Sequence, residues 1–430
     1  MPEIRPFRAV RYDPGRAGRL EDVLAPPYDV IDPTLQDQLY ERSPRNIVRL
    51  VLGRTFPGDG GASNRYTRAA ALYRRWRETG ILVADPEPAL YLYAQRYAWR
   101  GGEHLTWGWV GAVRLEEPGK TFLPHEATLP GPKADRLALW QAARAEFSQV
   151  FGLYHRPDPS ERELAQAVMG DAPLEQFTDD RGVEHRVWRV AGGLEPERLA
   201  ADLRPLQVVL ADGHHRFETA VALARGPLGT LPGAAWAALW LVNTALSPVT
   251  VLPTHRVLEN GPGVPGWDDL LARARERFRV EPLAPAGAAE GAATGAAHPR
   301  ISEPEEPGVV HLVGPDGSAW RLATPPDRSP ELAVTMLHRE LLDPILKGLA
   351  GSQAEGFERF LRFTHDGEEA RRWVATGEGR AAFLLPALDG EAVRRAAETV
   401  GRLPQKSTYF YPKAPSGLLI YDLEESLGKL

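Results

Sequence analysis

The spacing of apolar positions predicts both strands and helices in the first third of the chain. Strand-like runs cover Leu90–Trp99 and Leu105–Leu115, and the turn Arg100–Glu103 between them predicts a hairpin. Apolar residues at three-to-four spacing predict a helix over 63–79, which Gly80 would end. Elements of both kinds therefore follow one another from the start.

The rest of the chain mixes the two periodicities in the same way. The apolar run 206–211 predicts a strand that leads directly into a helix over 214–225. Further strand-like runs cover 46–52, 236–243, 249–252 and 381–385, hairpins are predicted around 179–182 and at 309–323, and further helical patterns cover 134–147, 331–349, 367–376 and 390–400. Because strands and helices interleave without a regular strand–helix–strand order, the pattern favours the α+β class.

The length of 430 residues is sufficient for about two to four domains. The elements divide the chain into the segments 1–155, 156–260, 261–328 and 329–430. Residues 282–308 are rich in Ala, Gly, Pro and Glu and show no periodicity, which is typical of a flexible insertion.

Composition and charge exclude several classes of protein. The net charge is −6 and the pI about 6.1, so the chain lacks the basic field that attracts nucleic acid or anionic membranes. It has no cysteine, which excludes disulfides, thiolate metal sites and thiol catalysis. Residues 1–10 contain no apolar run of a signal peptide, and the most apolar stretch, Ala234–Val242, is too short to span a bilayer. We expect a cytoplasmic protein that binds neither nucleic acid nor membrane.

Lysine is rare in this chain, since it supplies only six of the 51 basic residues. Because arginine serves wherever a plain surface cation suffices, a retained lysine indicates a chemical requirement. Two of the six, Lys406 and Lys413, fall within one stretch near the C-terminus.

The strongest local signal is an apolar strand that stops at Asp212 and leads at once into a helix. Asp212 can cap this helix by accepting a backbone N–H, and Gly213 allows a ligand to approach the backbone closely. The first turn, with His214, His215 and Arg216, then offers N–H groups and positive charge to an anion. The junction therefore predicts an anion site.

Two other interpretations of this junction remain open. The aspartate can be a simple helix cap, with the two histidines exposed on the surface. Metal binding is a further possibility, but neighbouring histidines on one helix point about 100° apart and suit a single metal poorly. A cap, a glycine, two histidines and an arginine in consecutive positions favour the anion site over both.

The sequence Asp-Gly-His-His-Arg after an apolar strand resembles the phosphate-binding motif of the ParB/sulfiredoxin superfamily, and most of all that of its free-serine kinases. The resemblance implies a ParB/sulfiredoxin-like nucleotide-binding core with N-terminal and C-terminal α/β additions. It also implies that Asp212, Gly213, His214, His215 and Arg216 bind ATP or ADP, and that Asp212 binds the Mg²⁺ of the nucleotide.

A second motif, Pro124-His125-Glu126, lies in a stretch that is rich in proline and in ionisable groups. Prolines fix the backbone, so the charged groups can be held in place, although a solvated surface loop is an equally open interpretation. The free-serine kinases carry a similar Pro-His-Glu, whose glutamate resembles a general base for the substrate hydroxyl. The resemblance therefore implies that Glu126 is the base, and we expect His125 and Lys133 to contact the substrate.

A third motif, Pro404–Lys413, places two lysines, a serine and a threonine among aromatic residues. An edge strand with aromatic core contacts is the alternative. The free-serine kinases have a similar lysine–threonine stretch near the C-terminus, and Lys406, Ser407 and Thr408 correspond best. The resemblance implies that these three residues contact the substrate or the transferring phosphate.

The stretch Leu252-Pro-Thr-His-Arg256 follows a predicted strand and could place His255 and Arg256 at the edge of a substrate site, or anchor a loop. Together with the stretches 25–30, 46–50 and 404–413, it resembles a large prokaryotic family known only as a domain of unknown function, number 1015. That likeness extends over the chain but implies no chemistry.

We expect a nucleotide-dependent kinase that phosphorylates the hydroxyl of a small molecule, most simply free L-serine, with Glu126, His215 and Lys406 as catalytic residues. The alternative is a ParB-like switch that binds or hydrolyses nucleotide without an acceptor. Such a switch needs a phosphate site but no base, so Glu126 distinguishes the two. The negative net charge disfavours a DNA clamp, and the lack of cysteine disfavours sulfiredoxin chemistry.

Overall fold

The computed structural model of this chain describes residues 2–126, 130–191, 194–203, 207–283, 302–325, 331–350, 360–399 and 401–427. The chain forms two compact units. The first comprises Met1–Val249, Arg394–Gly401 and Pro412–Leu430, and the second comprises Thr250–Val393 and Arg402–Tyr411. The four consecutive segments expected from the sequence stay a prediction.

The first unit contains these strands: β1 (Ile4–Arg5), β2 (Val10–Tyr12), β3 (Leu82–Ala84), β4 (Leu90–Trp99), β5 (Gly102–Arg114), β6 (Phe122–Pro124), β7 (Ala145–Glu146), β8 (Val150–Tyr154), β9 (Glu175–Thr178), β10 (Glu184–Val190), β11 (Val208–Asp212), β12 (Trp236–Asn243) and β22 (Tyr421–Asp422). Its helices are α1 (Pro14–Ala17), α2 (Leu20–Val23), α3 (Pro33–Arg42), α4 (Val48–Val51), α5 (Arg65–Glu78), α6 (Pro130–Ala143), α7 (Pro159–Met169), α8 (Leu194–Leu203) and α9 (His214–Arg225).

The second unit contains β13 (Thr250–Leu252), β14 (His255–Glu259), β15 (Arg279–Pro282), β16 (Val309–Val313), β17 (Ala319–Ala323), β18 (Leu361–Thr364), β19 (Gly379–Leu384), β20 (Leu388–Asp389) and β21 (Tyr409–Tyr411). Its helices are α10 (Trp267–Arg277), α11 (Ala333–Leu337), α12 (Asp343–Ala350) and α13 (Gly367–Ala375). Helix α14 (Gly390–Thr399) begins in this unit and ends in the first.

A nine-stranded mixed sheet forms the centre of the first unit. Its strand order is β6-β11-β8-β12-β5-β4-β10-β9, with β1 paired to β5. Every residue of β12 is buried, which explains its continuous apolar run, because a strand covered on both faces has no solvent-facing positions. Two neighbouring pairs, β6 with β11 and β8 with β12, run parallel.

The second unit is built on a six-stranded sheet with the order β15-β17-β16-β19-β14-β18 and on a smaller one, β20-β13-β21. Its largest core cluster joins the sheet to α10 and α11 through side chains such as Leu270, Leu312, Leu337 and Phe383, all of which are buried. The fold thus mixes helices and several sheets, as the sequence indicates. A ParB/sulfiredoxin-like core stays a prediction.

Several predicted elements with long periodic patterns are confirmed. The helices expected over 63–79 and 214–225 are α5 and α9, and the expected hairpins are β4–β5, β9–β10 and β16–β17. The flexible insertion expected over 282–308 lies mostly in 284–301, outside the described residues.

The strand expected over 46–52 is wrong, because Val48–Val51 forms helix α4. The buried Asn46 sets up this turn: its Oδ1 accepts the N–H of Val48 at 2.9 Å, while its Nδ2 donates to the carbonyls of Asp22 and Leu24. A short apolar run has no periodicity that separates a buried helical turn from a strand.

Ala25 makes an isolated β-bridge to Ser416, and the 3-10 turn Tyr28–Val30 follows it. One helix boundary also differs from the expected one. The helix expected over 134–147 is Pro130–Ala143, which ends where Arg144 adopts a positive φ of 56°. Among the described residues, no helix combines the length and apolarity that crossing a bilayer requires.

Candidate functional site

The parallel pairing of β6 with β11 brings two of the sequence motifs together. Phe122 lies opposite Val208 and Pro124 opposite Leu210, so both strands end at the same edge of the sheet. The residues that follow β6 therefore lie beside the end of β11. At this edge the backbone N–H of His125 donates to Nε2 of His214 at 3.2 Å.

Helix α9 begins at this edge with Gly213 as its N-cap, at φ 84°. A Cβ at this position would approach the guanidinium of Arg216 to 2.8–2.9 Å, so glycine is required both by φ and by space. The expectation that Asp212 caps the helix is wrong: among the described residues no side chain caps α9. The carboxylate of Asp212 is used by ion pairs instead.

Asp212 is shared by two cations. Its Oδ2 lies 2.5 Å from Nη2 of Arg216, and its Oδ1 lies 2.5 Å from Nζ of Lys413. Burial alone would raise the pKa of Asp212, but the charges of Lys413 and Arg216 lower it to about 2. We call these three residues the Asp212 triad. Two cations against one carboxylate leave the triad with one net positive charge beside the N-terminus of α9.

Arg216 is held on its other side by the main chain. Its Nη1 donates to the carbonyl of Gln149 at 2.5 Å, and its side chain is almost fully buried. The guanidinium is therefore a fixed charge, with little freedom to reach toward a ligand. Its expected role in nucleotide binding stays a prediction, and the fixed geometry favours an electrostatic contribution.

His214 does not supply the positive charge expected from the sequence. Burial and the neighbouring His125 lower its pKa to about 3, so it is neutral at physiological pH. Neutrality agrees with its geometry, because Nε2 accepts a backbone N–H and must carry a lone pair. Burial also lowers the pKa of His215, although Asp29 and Glu218 act in the opposite direction.

The predicted base, Glu126, follows β6 directly. Its Oε1 lies 3.6 Å from Nε2 of His125, which is fully buried, whereas about a fifth of the Glu126 side chain is exposed. Nδ1 of His125 lies 2.5 Å from the carbonyl of Leu210, to which it donates. Because a carbonyl only accepts, this bond fixes the orientation of the ring, with Nε2 turned toward the carboxylate of Glu126.

Lys133, the other predicted substrate contact in this unit, lies on α6. Its Nζ pairs with Oε2 of Glu218 on α9 at 2.9 Å. The hydroxyl of Thr219 donates to the carbonyl of His215, and its Oγ1 also lies 3.5 Å from the carbonyl of Lys133. Lys133 thus joins two helices at the edge of the site and is about one-third exposed.

Further residues lie here that are not among the catalytic and binding residues expected from the sequence. Tyr28 lies beneath Arg136, whose Cζ is 3.9 Å from the ring centre. Burial and the charge of Asp29 raise the pKa of Tyr28 to about 12. Arg136 also pairs with Asp135, which accepts a hydrogen bond from Tyr66 at 2.7 Å. The sequence signals were the stretch Ala25-Pro-Pro-Tyr-Asp29 for Tyr28 and, for Lys413, the rarity of lysine together with its place in the third motif.

The arrangement around Asp212 does not fit a magnesium ion. Both carboxylate oxygens face cations, so Lys413 and Arg216 stand where a metal would have to approach. In the described part of the chain, no group of three or more His, Cys, Asp or Glu side chains is placed to hold a metal ion. The expected magnesium at Asp212 therefore has no support from this geometry.

The remaining predicted residues lie in the second unit. The fully buried Arg256 donates from Nη2 to the carbonyls of Gln405 and Lys406 at 3.3 and 3.2 Å. It therefore holds the turn in which Lys406 adopts a positive φ of 54°, a conformation that is uncommon for a residue other than glycine. The Nζ of Lys406 lies 5.0 Å from the ring centre of Phe363.

His255 is also used structurally, since Nε2 faces Glu303 at 3.0 Å and Nδ1 accepts the N–H of Leu385. Ser407 is buried and its hydroxyl donates to the carbonyl of Pro404, while Thr408 is half-buried. The predicted site residues thus form two groups, one within the first unit and one within the second. A single site that uses both groups stays a prediction.

Comparison with known proteins places most of the chain in one family. The model of a family described as "Protein of unknown function (DUF1015)" matches residues 4–349. A search of curated proteins found no match.

Three solved structures are similar at low levels. A conserved hypothetical protein from Pyrococcus furiosus is 13% identical, with 71% of this chain and 93% of that one covered, at a TM-score of 0.36. A free serine kinase in complex with AMP is 14% identical, with 72% and 99% covered, at a TM-score of 0.36. SbnI from Staphylococcus aureus, with a C-terminal truncation, is 10% identical, with 74% and 89% covered, also at 0.36. Such values assign neither a fold nor an activity.

The neutral His214 predicts a pH dependence of stability. Its pKa is about 3 in the folded chain and 6.5 as the reference for the unfolded one, so below pH 6.5 only the unfolded state gains a proton. The free energy of unfolding should then fall by up to ~1.4 kcal/mol per pH unit from this residue alone. His214→Gln keeps an acceptor for the N–H of His125 but cannot titrate.

Urea unfolding of both proteins between pH 8 and 5 measures the effect. The wild-type stability should fall more steeply than that of His214→Gln below pH 6.5, and the two curves should run parallel above pH 7.5. Parallel curves over the whole range would show that His214 takes up its proton as readily in the folded state as in the unfolded state, which contradicts the prediction.

Proposed function

Since this chain belongs to the DUF1015 family, whose description names no activity, we propose from the chemistry of the site that it is a nucleotide-dependent kinase of small hydroxyl compounds. One observation carries the proposal. The parallel pair β6–β11 sets a partly exposed carboxylate, Glu126, beside the N-terminus of α9 and the net positive Asp212 triad. A base beside an anion site is what phosphoryl transfer requires.

The phosphates of ATP or ADP would bind at the first turn of α9. The backbone N–H groups of such a turn point outward, and the positive end of the helix dipole favours anions. Lys413 and Arg216 add a fixed positive charge that needs no reorganisation when the phosphates arrive. Lys133 on α6, which pairs with α9, and His215 in the first turn of α9 can donate to oxygens of the transferring group or the substrate.

Glu126 would then act as the general base. It takes the proton of the acceptor hydroxyl, whose oxygen forms a bond to the terminal phosphorus while the bond to the bridging oxygen breaks. The products are a phosphomonoester and a nucleotide that is shorter by one phosphate. The imidazole of His125, whose Nε2 faces this carboxylate at 3.6 Å, is itself held by its Nδ1–H bond to the carbonyl of Leu210.

Free L-serine is the acceptor that we propose within this class. Its support is the resemblance of the three motifs to those of free-serine kinases, including the stretch with Lys406, Ser407 and Thr408. A nucleotide-binding switch without an acceptor remains the competing function, because the anion site alone would serve it.

Replacement of Glu126 separates the kinase from the switch. Glu126→Gln keeps the size and hydrogen bonding of the side chain but removes the proton acceptor, so serine phosphorylation should fall at least ~100-fold while nucleotide affinity stays near that of the wild type. The measurement is nucleotide consumption with serine, threonine, homoserine or inositol as acceptor, together with calorimetry of ADP binding.

Glu103→Gln, an exposed residue at the start of β5, is the matched control and should be neutral. If Glu126→Gln keeps more than about a third of the turnover, Glu126 is not the base. If wild-type nucleotide consumption does not respond to any acceptor, the switch is the better description.

The rarity of lysine gives a separate test of Lys406. A compact ammonium suits a transferring phosphoryl group in a narrow site, whereas a planar guanidinium needs more room. Lys406→Arg keeps the charge and should still lower kcat/KM for serine by ~10-fold or more, about 1.4 kcal/mol. Lys120→Arg, which is equally exposed in a turn, should have no effect. Equal kcat/KM for the two variants would make Lys406 a structural residue.

A further inference from the structure

The first unit contains a cavity of about 190 Å³ that the proposed chemistry does not yet use. Its wall is mostly apolar and includes Leu24, Pro26, Leu35, Leu39, Phe177 and Pro415. Small-molecule pockets typically combine such walls with a few polar groups at fixed positions.

Two chain segments join this cavity to the Asp212 triad. Lys413 lines the cavity, and its Nζ lies 2.5 Å from Asp212 at the end of β11. Pro26 also lines it, and two residues further along the same loop lies Tyr28, on whose pKa the charge of Arg216 acts. The cavity and the anion site are therefore adjacent, with the side chain of Lys413 between them.

We infer that this cavity holds the nucleoside part, and above all the heterocyclic base, of the nucleotide whose phosphates bind at the start of α9. The inference rests on the proposed function and gives a role to the motif Ala-Pro-Pro-Tyr-Asp, which the phosphoryl-transfer chemistry leaves unused. Pro26 lines the cavity, and the charges of Arg216 and Asp29 act on the pKa values of Tyr28 and His215 respectively, so this loop extends from the cavity toward the start of α9.

The polarity of the cavity favours a base over the acceptor. Free serine carries an ammonium and a carboxylate, and burial of either against apolar side chains would cost more than the contacts return. A heterocyclic base is flat and largely apolar on its faces, with polar groups only at its edge. It therefore matches an apolar wall with a polar rim.

The polar rim of the cavity is held in place by its own contacts. Arg42 pairs with Asp180 at 2.7 Å, and Asp179 accepts the N–H groups of Arg181 and Val183 at 2.9 and 3.0 Å. A rim whose groups are fixed in this way offers defined donors and acceptors to the edge of a base.

Wild-type binding gives the first test, without any substitution. Calorimetric titration with ADP and with inorganic pyrophosphate compares two ligands that share a diphosphate and differ in the nucleoside. If the cavity holds the base, ADP should bind at least ten-fold more tightly than pyrophosphate. Equal affinities would overturn the inference while leaving a phosphate site in place.

A substitution that fills the cavity locates the effect. Leu35, on α3, is half-buried and lines the cavity, so Leu35→Trp should occupy part of it without disturbing the core. We expect ADP to bind at least ten-fold more weakly than to the wild type and pyrophosphate to bind unchanged. Leu105→Trp is the control, because it makes the same change at an exposed leucine that lines a different cavity together with Trp188. It should change the affinity for neither ADP nor pyrophosphate.

The outcomes separate this inference from the proposed function. If Leu35→Trp binds ADP and phosphorylates serine as the wild type does, the base lies elsewhere and the kinase proposal stands. If both ligands weaken together in Leu35→Trp, the substitution disturbs the phosphate site, and the assignment of the cavity to the base is overturned. If the wild type binds neither ADP nor pyrophosphate, the proposed nucleotide site itself fails.

Discussion

A buried carboxylate shared between two cations is the interaction on which the candidate site depends. Asp212 ends strand β11 and pairs with Arg216 one helical turn later and with Lys413 near the C-terminus. A carboxylate in such surroundings is costly to bury alone, and its two partners make it stable as an anion. The same pairs tie together the end of a strand, the first turn of α9 and the C-terminal segment of the first unit.

The other features of the site follow from this constraint. Because the guanidinium of Arg216 packs against residue 213, only glycine fits there, and the start of α9 is left without a side-chain cap. The surplus positive charge of the triad then lies beside the N-terminus of α9. Parallel pairing of β6 adds a carboxylate, that of Glu126, to the same edge of the sheet. The proposed anion site and the proposed base therefore lie together where two strands end.

The sequence predicted the junction between strand and helix because a long apolar run, a glycine and a polar turn are local signals. It wrongly predicted that Asp212 caps the helix and that His214 carries a positive charge. The cause is that a pairing partner 201 residues away and the burial of a side chain are not visible in the local sequence. Helix α4 was missed for a related reason: a buried asparagine decides its backbone, and the apolar run around it suits a strand equally well. Lys413 belongs to the third motif and is one of the rare lysines, but neither signal indicates Asp212 as its partner.

The most direct test of the anion site is a calorimetric titration of pyrophosphate into the wild type and into Lys413→Met. The substitution removes one charge, so the triad becomes neutral while Asp212 keeps its pair with Arg216. If this charge holds the phosphates, pyrophosphate affinity should fall at least ~10-fold, about 1.4 kcal/mol, whereas Lys120→Met should leave it unchanged. Equal affinities for the wild type and Lys413→Met would contradict the account, because the triad would then be a structural cluster without a role in binding.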